Sequence, residues 1–222
     1  MNDCDPAIQG RALDAGSEYR ASLPIVPAGS LTHCSLHWAA MPYGWAREAK
    51  AAGMILPYQV VADWDADGNA ILVPGMSPAL NAHDLSDDHC AGIDYCASVW
   101  RRNSRGVAVS ISAMIDAVPG DFGGAPIDAT LIEFLCAAAA ALCVTYGIDA
   151  RSREACYTHA EAAIWDGYFI GEDLDYRWDM GLLEPSTADV ASLKRTASVT
   201  GNRLRERIGT YMEKLTVRSA HG

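Results

Sequence analysis

The stretch "YTHAEAAIWDGYFIGEDLDYRWDMG", residues 157–181, holds one histidine, His159, and near its end an aspartate, Asp179. Far upstream, "LTHCSLHWAA" supplies two more histidines, His33 and His37. Imidazole nitrogens and carboxylate oxygens are ordinary zinc ligands, and a catalytic zinc takes three protein ligands while keeping a fourth position open. Such ligands need not be close in sequence if neighbouring strands and loops project them together. His159, Asp179 and either His33 or His37 make a set of the right kind. Spacing leaves the first member open, because the period of two along a strand puts His33 and His37 on the same face.

The elements around these residues must do the positioning. "SLTHCSLHWAA" reads as a strand with Thr32, Cys34 and Leu36 on one face and His33, Ser35 and His37 on the other. "MPYGWAREAKAAGM", with Pro early and Gly late, reads as a short helix. In "LPYQVVADWDADGNAILVP" two strand-forming runs flank a turn, a hairpin pattern. "RGVAVSISAMI" alternates valine and isoleucine with small residues and reads as a strand packed closely on its other face. "DATLIEFLCAAAAALCVTYG" is a long helix, capped by Asp128 or Thr130, stopped at Gly147 and apolar nearly all round. "ACYTHA" is a short strand entering a loop. Residues 75–105 read as loop, and a further helix is expected from Thr187 to about Leu215, broken or weakened at Gly201. Mixed strands and helices point to a single α/β or α+β domain, a mixed central sheet flanked by helices. The expected division is an irregular lead-in over 1–30, the main domain over 31–185 and a basic helical tail over 186–222.

With 222 residues the chain can bury a sizeable core. Its net charge of −11 argues against nucleic acid or an anionic membrane as partner. The tail, rich in Lys and Arg, is net positive against an acidic body, which suggests a separate role or a solvated helix face. The seven cysteines are scattered without a CxxC pair, so a reducing compartment is expected. The N-terminus has neither the basic nor the apolar region of a signal peptide, and no uninterrupted apolar stretch suits a membrane span. A cytoplasmic location follows as the expectation.

Six segments in order, "LHWAA", "PYQVV", "RNSRGVAVSISAM", "YGI", "THAE" and "RWDM", resemble the zinc-dependent N-acetylmuramoyl-L-alanine amidases, the family of phage endolysins and peptidoglycan recognition proteins. The resemblance covers about residues 31–185. It implies a mixed sheet flanked by helices with Zn2+ at one edge, and hydrolysis of the amide between N-acetylmuramic acid and L-alanine in peptidoglycan or muropeptides. His37 then matches the first zinc ligand, His159 the second and Asp179 the third. "LHW" followed by a small pair favours His37 over His33, which becomes a supporting group. Tyr58 matches the tyrosine that hydrogen-bonds the substrate carbonyl, and Arg177 the lysine whose charge stabilises the oxyanion. Gln59 stands where the family usually has His, Ser110 where some members have a Glu base, and Met41 where the first motif has Gly. Without a leader, a phage enzyme released by a holin and a cytoplasmic muropeptide-recycling enzyme are both compatible. The alternatives are a non-catalytic peptidoglycan-binding module of the same fold and a metal hydrolase acting on another amide.

Other polar groups have plainer readings beside functional ones. Glu161, in "THAE", is a candidate proton shuttle or simply a carboxylate at a helix N-terminus. Asp166, Glu172, Asp173 and Asp175 read as a solvated acidic loop, with Asp173 or Asp175 a surface partner for Arg177. His83 and His89 read as part of a polar loop. "DWDADGN" lacks the closing glutamate of a calcium loop, and "GDFGG" lacks the Gly-Lys-Ser/Thr of a phosphate loop.

Overall fold

The computed structural model describes residues 5–86, 88–169, 177–185 and 190–221. In chain order these form α1 (Pro6–Ala21), β1 (His33–Leu36), α2 (Trp45–Ala51), β2 (Val60–Trp64), β3 (Ala70–Pro74), β4 (Gly106–Ile111), α3 (Ala129–Tyr146), β5 (Cys156–Thr158), α4 (His159–Trp165) and α5 (Val190–His221). One turn of 3-10 helix, Pro78–Asn81, interrupts the long loop before β4. The strands make one mixed sheet in the order β3-β2-β4-β1-β5. β2, β4, β1 and β5 run parallel, and β3 returns antiparallel along β2. The expected α/β architecture with helices flanking a mixed sheet is the architecture found.

Alternation along the strands separates two faces. Cys34, Leu36, Val60, Ala62, Val107, Val109 and Ile111 point to one side and join α3 in the main core. On the other side Val61 and Val73 pack against Ala46 and Ala49 of α2, and Ala108 meets Met76 and Cys96. Ser35, His37 and Ser110 belong to this second face by the same alternation, and all three are buried.

α3 is the centre of the helical layer. Asp128 caps it by accepting from Thr130 N at 2.7 Å, and Gly147 ends it at φ 71. Its alanine run, Ala137 to Ala141, is fully buried. Small side chains let neighbours come close: a Cβ on Gly16 of α1 would stand 3.0 Å from the Ala137 carbonyl. The residues 1–30 expected as an irregular lead-in therefore carry a helix. Its buried face, Ala12, Leu13, Gly16 and Tyr19, is too small-grained to show as an apolar stripe.

α5 likewise corrects the expectation of a separate tail. Leu193, Ala197, Leu204, Ile208, Tyr211 and Leu215 lie in the main core. Tyr211 donates to Glu133 on α3 at 2.7 Å, and Arg207 pairs with the same carboxylate at 3.3 Å. The helix also runs unbroken through Gly201. A Cβ there would sit 2.3 Å from a Glu161 oxygen, so the glycine makes room for that side chain. β5 leads into a helix, α4, rather than a loop.

Glu161 fills that space for a reason. Arg205 of α5 grips both its oxygens at 2.8 Å and donates to the Cys156 carbonyl at 2.8 Å. Both partners are buried. Removing one member of such a pair leaves an uncompensated buried charge, costing about 3–5 kcal/mol. Arg205→Ala is expected to lower unfolding free energy by about that amount in chemical denaturation. Combining Glu161→Gln with Arg205→Met should restore a large part of the loss, and a double variant no better than the single one would contradict the pairing.

Candidate metal centre

Three ligands arrive from three chain segments. His37 directly follows β1, yet its backbone stays in the sheet: its N donates to Val109 O at 2.9 Å and its carbonyl accepts from Ile111 N at 3.3 Å. Trp38 turns to the opposite face and is buried. His159 is the first residue of α4, directly after β5. Thr158 caps that helix by accepting from Glu161 N at 3.1 Å, and Glu161 accepts from Thr158 N at 3.1 Å, a reciprocal box that fixes the first turn. Asp179 lies on a turn closed by Gly181 N donating to Trp178 O at 2.7 Å, with Met180 at φ 58. The Asp179 carbonyl accepts from Ala160 N at 3.0 Å, which ties the turn to the start of α4. The tryptophans beside two of the ligands, Trp38 and Trp178, pack edge to face at 4.7 Å.

The result is a tight group. His159 Nδ1 stands 3.0 Å and His37 Nδ1 3.7 Å from Asp179 Oδ2. One donor atom from each residue lies within 4.8 Å of the others, and among the described residues this is the group of His, Cys, Asp or Glu able to hold an ion. Two ligands bound tetrahedrally at zinc distances are separated by about 3.4 Å. The spacing therefore suits a single small divalent cation.

Protonation suits it as well. Burial lowers the His37 pKa to about 4, with a hydrogen bond donated to Asp179 working the other way. Burial pushes the Asp179 carboxyl up, but hydrogen bonds and charge from His159 and His37 outweigh it and hold the group below the usual carboxylate range. At neutral pH the pair is thus a neutral imidazole and a carboxylate, the forms a cation needs. The far nitrogen of His37, Nε2, meets the Ser35 hydroxyl at 3.2 Å, which orients the ring and leaves Nδ1 toward Asp179. Burial is graded: the His37 side chain is 2% exposed and the Asp179 side chain 26%. The group opens to solvent through Asp179 and His159.

Two tyrosines flank the group. The Tyr58 ring lies 5.6 Å from His37 and the Tyr168 ring 6.1 Å from His159. Tyr58 sits just before β2 rather than within the strand. Burial raises its pKa, Asp179 raises it further, and the nearby Ser110 hydroxyl works against them, so Tyr58 is a protonated donor at neutral pH.

The other nominated residues lie elsewhere. His33 is at the opposite end of β1, stacked on Tyr157 at 5.8 Å with Nε2 at 2.7 Å from the Arg102 carbonyl. It neither binds with the group nor supports it; Ser35 has the supporting place. Glu161 is held by Arg205, a structural duty in place of the proton shuttle. Arg177 is exposed, two residues before Asp179, with its N donating to Phe169 O at 2.9 Å. Asp166 is exposed on the turn after α4, as expected of a solvated residue, and there Arg102 donates to both its oxygens at 2.6 Å. Glu172, Asp173 and Asp175 lie outside the described residues. Gln59 is committed to structure, donating to Asn81 at 3.2 Å and accepting from the Ala108 backbone. Ser110 is buried, with its hydroxyl close to that of Tyr58. His83 and His89 pair at 5.3 Å without a third donor among the described residues.

Comparison with protein-family models, with curated proteins and with solved structures finds no match for this chain. The chemistry of the site is therefore argued from its residues.

His37→Ala, His159→Ala and Asp179→Ala are each expected to abolish stoichiometric uptake of a divalent cation, measured by elemental analysis after dialysis. His33→Ala should retain it; equal loss in that variant would overturn the assignment. A second expectation concerns the metal-free protein. An unfolded histidine titrates near 6.5, while folded His37 takes up its proton only near pH 4. Between those values the unfolded chain binds the extra proton, so stability falls as pH drops through the window and is intact above it. The loss amounts to about 3 kcal/mol, and His37→Gln should flatten that part of the profile of urea midpoint against pH.

Proposed function

We propose that this chain is a zinc amidase that cleaves the bond between N-acetylmuramic acid and L-alanine in peptidoglycan or its fragments. One observation carries the reading: His37 and His159, at the ends of neighbouring parallel strands, and Asp179, on a turn beside them, converge with donor atoms within 4.8 Å. The ordered motifs around them give the substrate class, and the matching tyrosine, Tyr58, stands beside the group. His37, His159 and Asp179 would hold the zinc, which would supply a Lewis acid and lower the pKa of a bound water.

The chain's own residues do the rest. His37 and Asp179 present unprotonated donors. Tyr58, kept protonated by burial, donates to the substrate carbonyl oxygen as charge builds on it. Arg177 brings a permanent cation to the same rim, in the place of the family's lysine. Asp179 and His159, the more exposed members, face the side from which substrate arrives.

A second reading, a peptidoglycan-binding module without catalysis, is favoured by the proton-transfer groups. Glu161 is locked to Arg205, and Ser110 offers only a hydroxyl.

The test is release of free amino termini from muramyl peptides by the zinc-loaded protein. Hydrolysis is expected, lost in His159→Ala, and Tyr58→Phe should lower kcat about 100-fold with zinc content unchanged. Zinc uptake and substrate binding without released amine would move the reading to the binding module.

A further inference from the structure

Beside His159 lies a surface feature that the metal group does not use. Val99 is buried with Tyr157 and Ala162, and Arg102 is clamped by Asp166 at 2.6 Å. Asn103 accepts from the backbone N of Ser98 and of Val99 at 2.9 and 3.0 Å. The chain is thus pinned on both sides of Trp100 and Arg101. Trp100 nevertheless remains 52% exposed. Arg101 adopts a left-handed backbone, φ 61, and lays its guanidinium 3.9 Å from the centre of the indole. Strain of that kind in a non-glycine residue persists only where its surroundings hold it.

Tyr168 links this platform to the metal group. Its ring meets Trp100 edge-on at 5.2 Å and lies 6.1 Å from His159. Its hydroxyl is buried and has no hydrogen-bond partner among the described residues. A single exposed tryptophan is unremarkable by itself. A pinned one that adjoins an unsatisfied buried phenol is different, because buried polar groups are nearly always satisfied.

We propose that Trp100, Arg101 and Tyr168 form a carbohydrate subsite next to the metal group, with a pyranose ring stacked on the exposed indole. A sugar has an apolar C–H face and a polar rim. The first matches the indole, and the second can satisfy the Tyr168 hydroxyl and the Arg101 guanidinium. An apolar peptide side chain would cover the indole and leave the phenol unpaired. The identity of the sugar, an amino sugar of the cell-wall glycan on the acyl side of the scissile amide, rests on the amidase reading.

The experiment is calorimetric titration of the full chain with the disaccharide N-acetylglucosaminyl-N-acetylmuramic acid, carrying no stem peptide and therefore no scissile bond. Wild type is expected to bind. Trp100→Ala should weaken binding about tenfold, in the range of a lost aromatic stacking partner. Trp100→Phe, which keeps a ring, should retain most of it, and Tyr168→Phe should lose about fivefold. No binding by wild type, or equal binding by Trp100→Ala, overturns the subsite; so does Trp100-dependent binding of the stem peptide in place of the disaccharide. The amidase reading fails separately: Trp100-dependent disaccharide binding without amide hydrolysis removes it and leaves the subsite standing.

Discussion

Neighbouring parallel strands deliver their ends to the same place, and the candidate centre depends on that constraint. β1 lies between β4 and β5, all three pointing the same way. Hydrogen-bonded strands sit about 4.8 Å apart, and the rings of His37 and His159, each one residue beyond its strand, are 4.9 Å apart. The ligand spacing is therefore a sheet spacing. No special loop has to create it. The carboxyl edge of a parallel sheet is where α/β proteins generally place ligands, and the order of the strands puts two histidines there side by side.

The third ligand needs more support, because no strand carries it. Asp179 belongs to a short turn, held by a backbone hydrogen bond to α4 and by Trp178 packing against Trp38. α4 is in turn fixed by Glu161, and Glu161 by Arg205 on α5. Thr200 of α5 also donates to the Gly181 carbonyl at 3.1 Å. A helix distant in sequence thus braces both the His159 and the Asp179 sides of the group. This explains why α5 is buried along much of its length although its composition is so basic: its charged residues on the inner side are spent on internal carboxylates.

Local pattern made much of this legible in the sequence. The hairpin, β1, β4 and the two ends of α3 carry period, cap and turn signals within a few residues. The ligand set was legible because His and Asp are recognisable donors. What escaped reading depended on distant partners. Nothing near Glu161 announces Arg205, so a carboxylate after a histidine looked like a proton shuttle. Gly201 looked like a break because the side chain filling its space lies 40 positions upstream in another helix. α1 buries small residues against an alanine run, which leaves no apolar stripe to see. Between His33 and His37 the period of two was silent. The length of β1 decides, because His37 reaches the open edge while His33 stays at the other end, under Tyr157 and Arg102.

The same logic bears on how the centre would work. The inner wall, His37, Ser35 and Ser110, is buried and presents little charge of its own. The cationic and aromatic groups, Arg177, Trp100 and Arg101, stand on the solvent side. Such a division places the fixed donors deep, where low dielectric strengthens their hold on a cation, and leaves recognition to the rim. Tyr58 and Tyr168 stand at the boundary, one against each histidine. Trp100 is more exposed than Tyr168, and Tyr168 in turn lies against His159, so the proposed sugar contact would sit outward of the donors. If the amidase reading holds, proton delivery is the step to explain, since the buried carboxylate Glu161 is already committed to Arg205.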